Sequence, residues 1–422
     1  MKDIRVEMGR GFDNVKNRFV DVEDKQNYHE VMLESQKWEY PAPFPNVPDN
    51  SAEKHLLDQI KEQTCDMRYG KWNAIAVEID GQNGQNLDYD VAFLPHWKEF
   101  AGALEEYQYA LKCLPKGKDT AFQLNAVQLP KTVLDLLSDA LKSTHFKSIY
   151  LCDNRFGRDG IKFALNYFQN NHKLEEFRLR HNPIDHEDDI DQLIDIIKVH
   201  PSINTLELDH CFDDEIDGHK ILCSIMTAGA NKLKSIDLCS NEILTGANFL
   251  ATNPILEQLV LCDNLLDDTD ANAIATALKR NTNLRCLDIT NNDDITNPGW
   301  DALRKAEFDP TSLNSAAESN HTCFIAGASE YNGDDPDTWD EMTPFVPAAV
   351  RQKKIYSVLS SRNRECSNVQ SMDDVPVEFL PDMLVSIQQY SEYHIGDKAP
   401  PKRNDDAKAL SVMYEILRFW QT

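Results

Sequence analysis

The stretch Leu233-Lys234-Ser235-Ile236-Asp237-Leu238-Cys239-Ser240-Asn241 and its near copy Leu256-Glu257-Gln258-Leu259-Val260-Leu261-Cys262-Asp263-Asn264 decide how the chain is read. Each opens on leucine, carries an apolar residue on either side of one variable position, and ends on asparagine. The alternation has the period of a strand with one face buried. The asparagine supplies donors and an acceptor for backbone groups that the strand leaves behind as it turns.

The same spacing recurs along the chain. Phe146, Ile149, Leu151 and Asn154 follow it, as do Leu174, Phe177, Leu179 and Asn182, and then Ile203, Leu206, Leu208 and Cys211. Leu284, Leu287, Ile289 and Asn292 make a sixth clear copy, and Phe122 with Asn125 a weaker early one. From turn residue to turn residue the steps are 29, 28, 29, 30, 23 and 28. Between turns lie helical patterns, such as Gly160 to Leu165, Ile190 to Val199, Gly218 to Met226, Ala271 to Leu278 and Gly299 to Leu303. One short strand and one helix cannot enclose a core alone, so each unit has to stack on its neighbours. In the 23-residue step, Gly246 to Thr252 leaves room for barely two helical turns before Pro254.

A helix in every unit, at a step of 28 or 29 residues, resembles the leucine-rich repeats of the ribonuclease-inhibitor class. The resemblance implies an α/β fold, a right-handed solenoid or horseshoe. About seven short parallel strands would line its concave face, with helices outside and capping regions at both ends. The tail strings SLNSAAESNHTC (312–323) and LSVMYEILRFW (410–420) resemble a ribonuclease-inhibitor-like group associated with diatoms, over roughly residues 90–422. That second likeness speaks to fold and implies no defined activity.

Four regions follow from the pattern. Residues 1–50 form a polar extended segment with prolines at Pro41, Pro43, Pro45 and Pro48. Residues 51–116 form an N-terminal capping region with a helix over Ala52 to Gln63, a strand over Ala74 to Ile79 and a helix over Trp97 to Leu114. The repeats occupy 117–309, and 310–422 hold a degenerate terminal coil and a helical cap, with helices at Pro347–Ser361, Val377–Tyr390 and Ala407–Trp420. A loop is expected over Glu330 to Glu341.

Seventy acidic residues against 43 basic ones give a net charge of -27, which disfavours nucleic acid and anionic lipid and favours a basic partner. The ten cysteines show no Cys-x-x-Cys spacing, and the charged stretch Met1 to Arg18 has no apolar core of a leader, so a cytoplasmic location is expected, with the nucleus also open. No apolar run reaches the length of a membrane span.

No catalytic, cofactor or metal site is expected. Gly117-Lys118-Asp119-Thr120 lacks the earlier glycine of a phosphate loop, its place being taken by Lys112. Asp80 to Gly84 and Asp334 to Asp340 read as turns instead of calcium loops. His181 and His186, with Asp185, Glu187 and Asp188, read as a polar surface loop. Cys239 and Cys262 follow the last strand leucine of their copies, where small residues suit a crowded sheet.

The candidate site is the set of side chains that alternation turns away from the core. One column reads Tyr150, Arg178, Glu207, Asp237, Val260, Asp288, and the next Cys152, Arg180, Asp209, Cys239, Cys262, Thr290. Tyr150, Arg178, Arg180, Glu207, Asp209, Asp237 and Asp288 are the protein-binding candidates. Arg178 and Arg180 beside Glu207 and Asp209 admit two readings, a charged binding patch or cross-strand ion pairing. The expected function is a non-catalytic scaffold that grips a protein on the concave face or rim. Two alternatives are a GTPase-activating protein of the Ran type, for which Arg155 after its turn is the candidate, and a structural subunit of a larger assembly.

Overall fold

A computed structural model describes residues 51–68, 74–78, 91–113, 120–212, 218–243, 247–252 and 254–328, with a few positions at 39–41, 48, 347–358 and 381. The expected loop over 330–341 and the expected helices over 377–390 and 407–420 lie outside the described residues, as does most of 1–50. The chain forms two compact units, Met1–Glu242 and Ile243–Thr422.

In the first unit six strands alternate with helices. They are β1 (Ile75–Glu78), β2 (Ala121–Asn125), β3 (Ser148–Cys152), β4 (Glu176–Arg178), β5 (Thr205–Glu207) and β6 (Ser235–Asp237). Each pairs in parallel with the next, so Ile75, Phe122, Ile149, Phe177, Leu206 and Ile236 lie in one row across the sheet. Every residue of that row is buried, because it faces the helices while its alternates turn away from them. The helices are α1 (Ala52–Arg68), α2 (Leu94–Cys113), α3 (Lys131–Leu141), α4 (Arg158–Asn170), α5 (Glu187–Val199) and α6 (Gly218–Gly229).

Helix α4 shows how a helix is seated. Ile161, Ala164, Leu165 and Phe168 recur at helical spacing and are buried, and the Phe168 ring stacks on Phe177 of β4 at 4.6 Å between centroids. Gly160 begins the buried face because a Cβ there would meet the Phe156 ring at 2.4 Å. At the start of the unit Leu56, Leu57, Ile60, Trp97, Phe100 and Leu104 are fully buried, and Phe100 reaches Phe122 of β2. The region expected to be a cap therefore carries a strand of the sheet, β1, as well as two helices.

The turn asparagines do the work their chemistry suggests. Asn154 Oδ1 accepts from Val127 N at 2.8 Å while its Nδ2 donates to Leu124 O at 2.6 Å, joining one strand–helix unit to the one before. Asn241 Oδ1 accepts from both Cys211 N (2.8 Å) and Phe212 N (2.9 Å), and its Nδ2 donates to Leu208 O at 2.8 Å. Cys211, in the same place, donates its thiol to Leu179 O. Immediately before each turn residue the backbone is left-handed, at Asp153 (φ 58), His181 (φ 55), His210 (φ 53) and Ser240 (φ 57).

A second ladder, not apparent in the spacing, runs along the helix C-termini. His200 bonds Asn171 O at 2.9 Å, and Lys232 Nζ donates to Ile197 O, Lys198 O and His200 O at 2.9–3.0 Å. These are carbonyls that the end of a helix leaves without intrahelical donors.

The second unit holds β7 (Gln258–Val260), β8 (Cys286–Asp288) and β9 (Phe324–Ala326), again parallel, with Leu259, Leu287 and Ile325 in one buried row. Helices α7 (Asp268–Leu278), α8 (Asn297–Glu307) and α9 (Leu313–Glu318) accompany them. In the short 23-residue step the described residues hold a 3-10 helix, Ala247–Thr252, of about two turns, in keeping with the room before Pro254. Within this unit Asn264 and Asn292 join one strand–helix repeat to the one before, Asn264 Oδ1 accepting from Ile243 N and Asn292 Oδ1 from Leu266 N, each at 2.9 Å. Asn320 and Lys354 continue the helix-end ladder, Asn320 Nδ2 donating to Leu278 O at 2.7 Å and Lys354 Nζ to Asn320 O at 2.6 Å. Burial lowers the Lys354 amine to about 8. Among the described residues no helix is long and apolar enough to cross a membrane.

Candidate functional site

The row next to the buried one in the first unit reads Ala76, Gln123, Tyr150, Arg178, Glu207, Asp237. Parallel pairing without a bulge fixes this order, because one residue of slip would turn every one of these side chains into the core. Four of the seven candidate residues thus stand side by side. Arg180 and Asp209 follow two residues on, beside one another. Asp288 belongs to β8 in the second unit, where its Oδ1 accepts from Thr290 N (3.0 Å) and Thr290 Oγ1 (2.7 Å).

Opposite charges meet across β4 and β5. Tyr150 donates its hydroxyl to Glu176 Oε2 at 2.8 Å, and its ring lies under the Arg178 guanidinium at 4.6 Å. Arg178 reaches Glu176 at 3.2 Å and Glu207 at 3.3 Å. Arg180 Nε meets Asp209 Oδ2 at 2.8 Å. The sequence left open whether these four charges form a patch or pair across strands, and they pair. Glu176 completes the network and was missed, although it flanks the inward Phe177 on the same side as Arg178 and alternation places it on this face.

Asp237 ends the row differently. Its Oδ1 accepts from Cys239 N at 3.0 Å, and among the described residues no cation pairs with it. Burial, together with the negative charges of Glu207 and Asp209, pushes its carboxyl up to about 6. Burial and the bond to Glu176 also raise the Tyr150 phenol. Cys152, the free thiol on the same face, is pushed up to about 11 by burial and then by Glu207, so it is no activated nucleophile.

At the turn edge of this face lies a second group, made by the left-handed residues. His181 Nδ1 is 2.7 Å from Asp153 Oδ1, and its Nε2 is 3.7 Å from Asp209 Oδ2. The His210 ring stands edge-on to His181 with centroids 5.2 Å apart. They border a cavity of about 520 Å³ completed by Arg155, Phe156, Pro183 and Asp185. A smaller one of about 290 Å³ lies on the other side of Arg155 and Phe156, among Lys131, Arg158 and Gly160. His186, paired with His181 in the sequence reading, instead occupies the N-cap position of α5. Asp153 and His210 were missed because the residue before each turn asparagine reads simply as loop. The signal was there: the same slot in successive copies holds Asp153, His181 and His210.

Compared with known proteins, the chain matches no protein-family model and no curated protein sequence.

Proposed function

We propose that this chain is a leucine-rich-repeat scaffold of the ribonuclease-inhibitor type, a right-handed solenoid that binds a basic protein partner on the exposed face of its sheet and catalyses no reaction. The stacked strand–helix units and the turn asparagines support the repeat type. The observation that carries the binding reading is the unbalanced Asp237. Arg178 and Arg180 offset two of the carboxylates at Glu176, Glu207, Asp209 and Asp237, and the remainder is acidic, in keeping with the net charge of -27. A cation delivered by a partner would meet a desolvated carboxylate there, where electrostatic complementarity gives specificity and association rate. Affinity capture from native lysate with the wild-type chain and with Asp237→Asn tests it. The reading requires a basic protein retained by the first and lost from the second.

A GTPase-activating role remains the second reading, favoured by one observation. Arg155 has a left-handed backbone (φ 47) and stands between the two cavities, a placement from which an arginine can reach a bound nucleotide. GTP hydrolysis by candidate small GTPases, with the chain and with Arg155→Ala, decides that case.

A further inference from the structure

The turn-edge group has a geometry that binding of a protein to the sheet face does not explain. We propose that His181, His210 and Asp209 form a site for a divalent transition ion of the zinc class, with Asp153 orienting the His181 ring.

His181 is held as a metal-ligating imidazole is usually held. One ring nitrogen engages the Asp153 carboxylate at 2.7 Å, which fixes the tautomer and leaves Nε2 as the lone-pair nitrogen. That nitrogen stands 3.7 Å from Asp209 Oδ2. Two ligands at zinc distances of about 2.0–2.1 Å and a tetrahedral angle lie about 3.3 Å apart, so an ion fits between these two atoms with a shift of a few tenths of an ångström. The imidazole of His210 is the third donor. Two imidazoles on one tetrahedral ion place their ring centres about 5 Å apart, and His181 and His210 have theirs at 5.2 Å. The His210 ring is exposed and carries no hydrogen bond among the described residues, so rotation about its side-chain bonds completes the set.

Asp209 brings a largely desolvated carboxylate, 8% exposed, whose Oδ2 faces His181. Its Oδ2 accepts from Arg180, a single cation for a largely desolvated carboxylate. The backbones are set as well. His181 N donates to Asp209 O at 2.8 Å and His210 N to Cys239 O at 3.0 Å, which holds both left-handed residues at the strand spacing. The 520 Å³ cavity in front gives the ion access and leaves its fourth position to water. Two imidazoles and a carboxylate suit zinc better than calcium or magnesium, which prefer all-oxygen sites.

The experiment uses the full chain and Zn²⁺ alone, titrated against a competing chelator dye. His181→Asn and His210→Asn are the variants of choice, because asparagine tolerates a left-handed backbone and leaves the turn intact. Each is expected to weaken the zinc affinity at least about tenfold, and Asp153→Asn about tenfold, with unchanged thermal melting. In the wild type labelled with ¹⁵N-histidine, zinc should move the signals of two imidazoles, a readout that does not depend on any variant folding. Co²⁺ in place of zinc should give visible d–d bands without a thiolate charge-transfer band. Wild-type affinity in the His181→Asn/His210→Asn double variant, a dominant thiolate band, or no zinc binding up to about 1 mM overturns the proposal.

Discussion

Arg180 Nε lies 2.8 Å from Asp209 Oδ2, while the other oxygen of that carboxylate is buried with no hydrogen-bond partner among the described residues. The pair is unequal, since the arginine side chain is 49% exposed and the aspartate 11%. Removing the arginine strands a desolvated charge, whereas removing the aspartate leaves a guanidinium that water can serve.

From that asymmetry, Arg180→Ala should cost about 1–3 kcal/mol and Asp209→Ala less, with the double variant no worse than Arg180→Ala alone. Urea denaturation of the four proteins measures the coupling. Equal costs for the two single variants would mean that solvent reaches Asp209 as freely as Arg180.

The turn asparagines make a steeper prediction. Asn241 Oδ1 is the acceptor for two backbone N–H groups, those of Cys211 and Phe212. Asn241→Leu fills the space and serves neither, so stability should fall by about 2–4 kcal/mol. Asn291, the left-handed residue beside Asn292, donates its side-chain amide to the exposed Asp263, so Asn291→Gly, which keeps the left-handed backbone without strain, should cost under about 1 kcal/mol. Thermal melting of both variants separates the buried role from the exposed one.

These contrasts show what the spacing made legible. The row from Phe122 through Ile236 was readable because a strand's period admits one inward face, and a slip would bury Arg178 and Glu207. The partners of Arg178 and Arg180 followed from the same register. The helix-end ladder was not readable, because an orphan carbonyl accepts from any donor, and this chain uses His200, Lys232 and Asn320 for one task. The sheet exceeds the expected seven strands because β1, expected as a strand of the cap, joins it, and because β9 carries Ile325 inward without an asparagine to mark a turn. Glu176 shares the face of Arg178 by the same period of two, whereas Asp153, on a left-handed turn residue, joined the site through side-chain reach that no period encodes.

Asp237 gives the pH prediction. Its folded carboxyl is raised from 3.8 to about 6, so between those values the native state binds more protons than the unfolded chain. Its contribution therefore favours folding below about pH 4 and is lost as pH rises through about 6. Asp237→Asn keeps the acceptor for Cys239 N and removes the titration. The variant should equal the wild type near pH 4 and exceed it by about 1–3 kcal/mol at pH 7. A constant difference between the two proteins across this range would show that Asp237 ionises as a solvated carboxyl does.

The binding prediction rests on the same residue and its neighbour. Glu207→Gln with Asp237→Asn removes two charges from the sheet face without altering volume or any buried leucine, so the fold should persist. If a basic partner docks there, its affinity should fall at least tenfold, about 1.4 kcal/mol or more, and its association should slow as salt rises. The matched control is Asp135→Asn with Asp139→Asn on α3, whose side chains are 62% and 70% exposed and which change the net charge equally. Binding kinetics of the captured partner to the three proteins make the comparison. Loss from the face pair alone places the partner on the sheet beside Arg178 and Asp209. Equal losses from both pairs would mean attraction to net charge only, and an unchanged affinity for the face pair would move the interface away from these strands altogether.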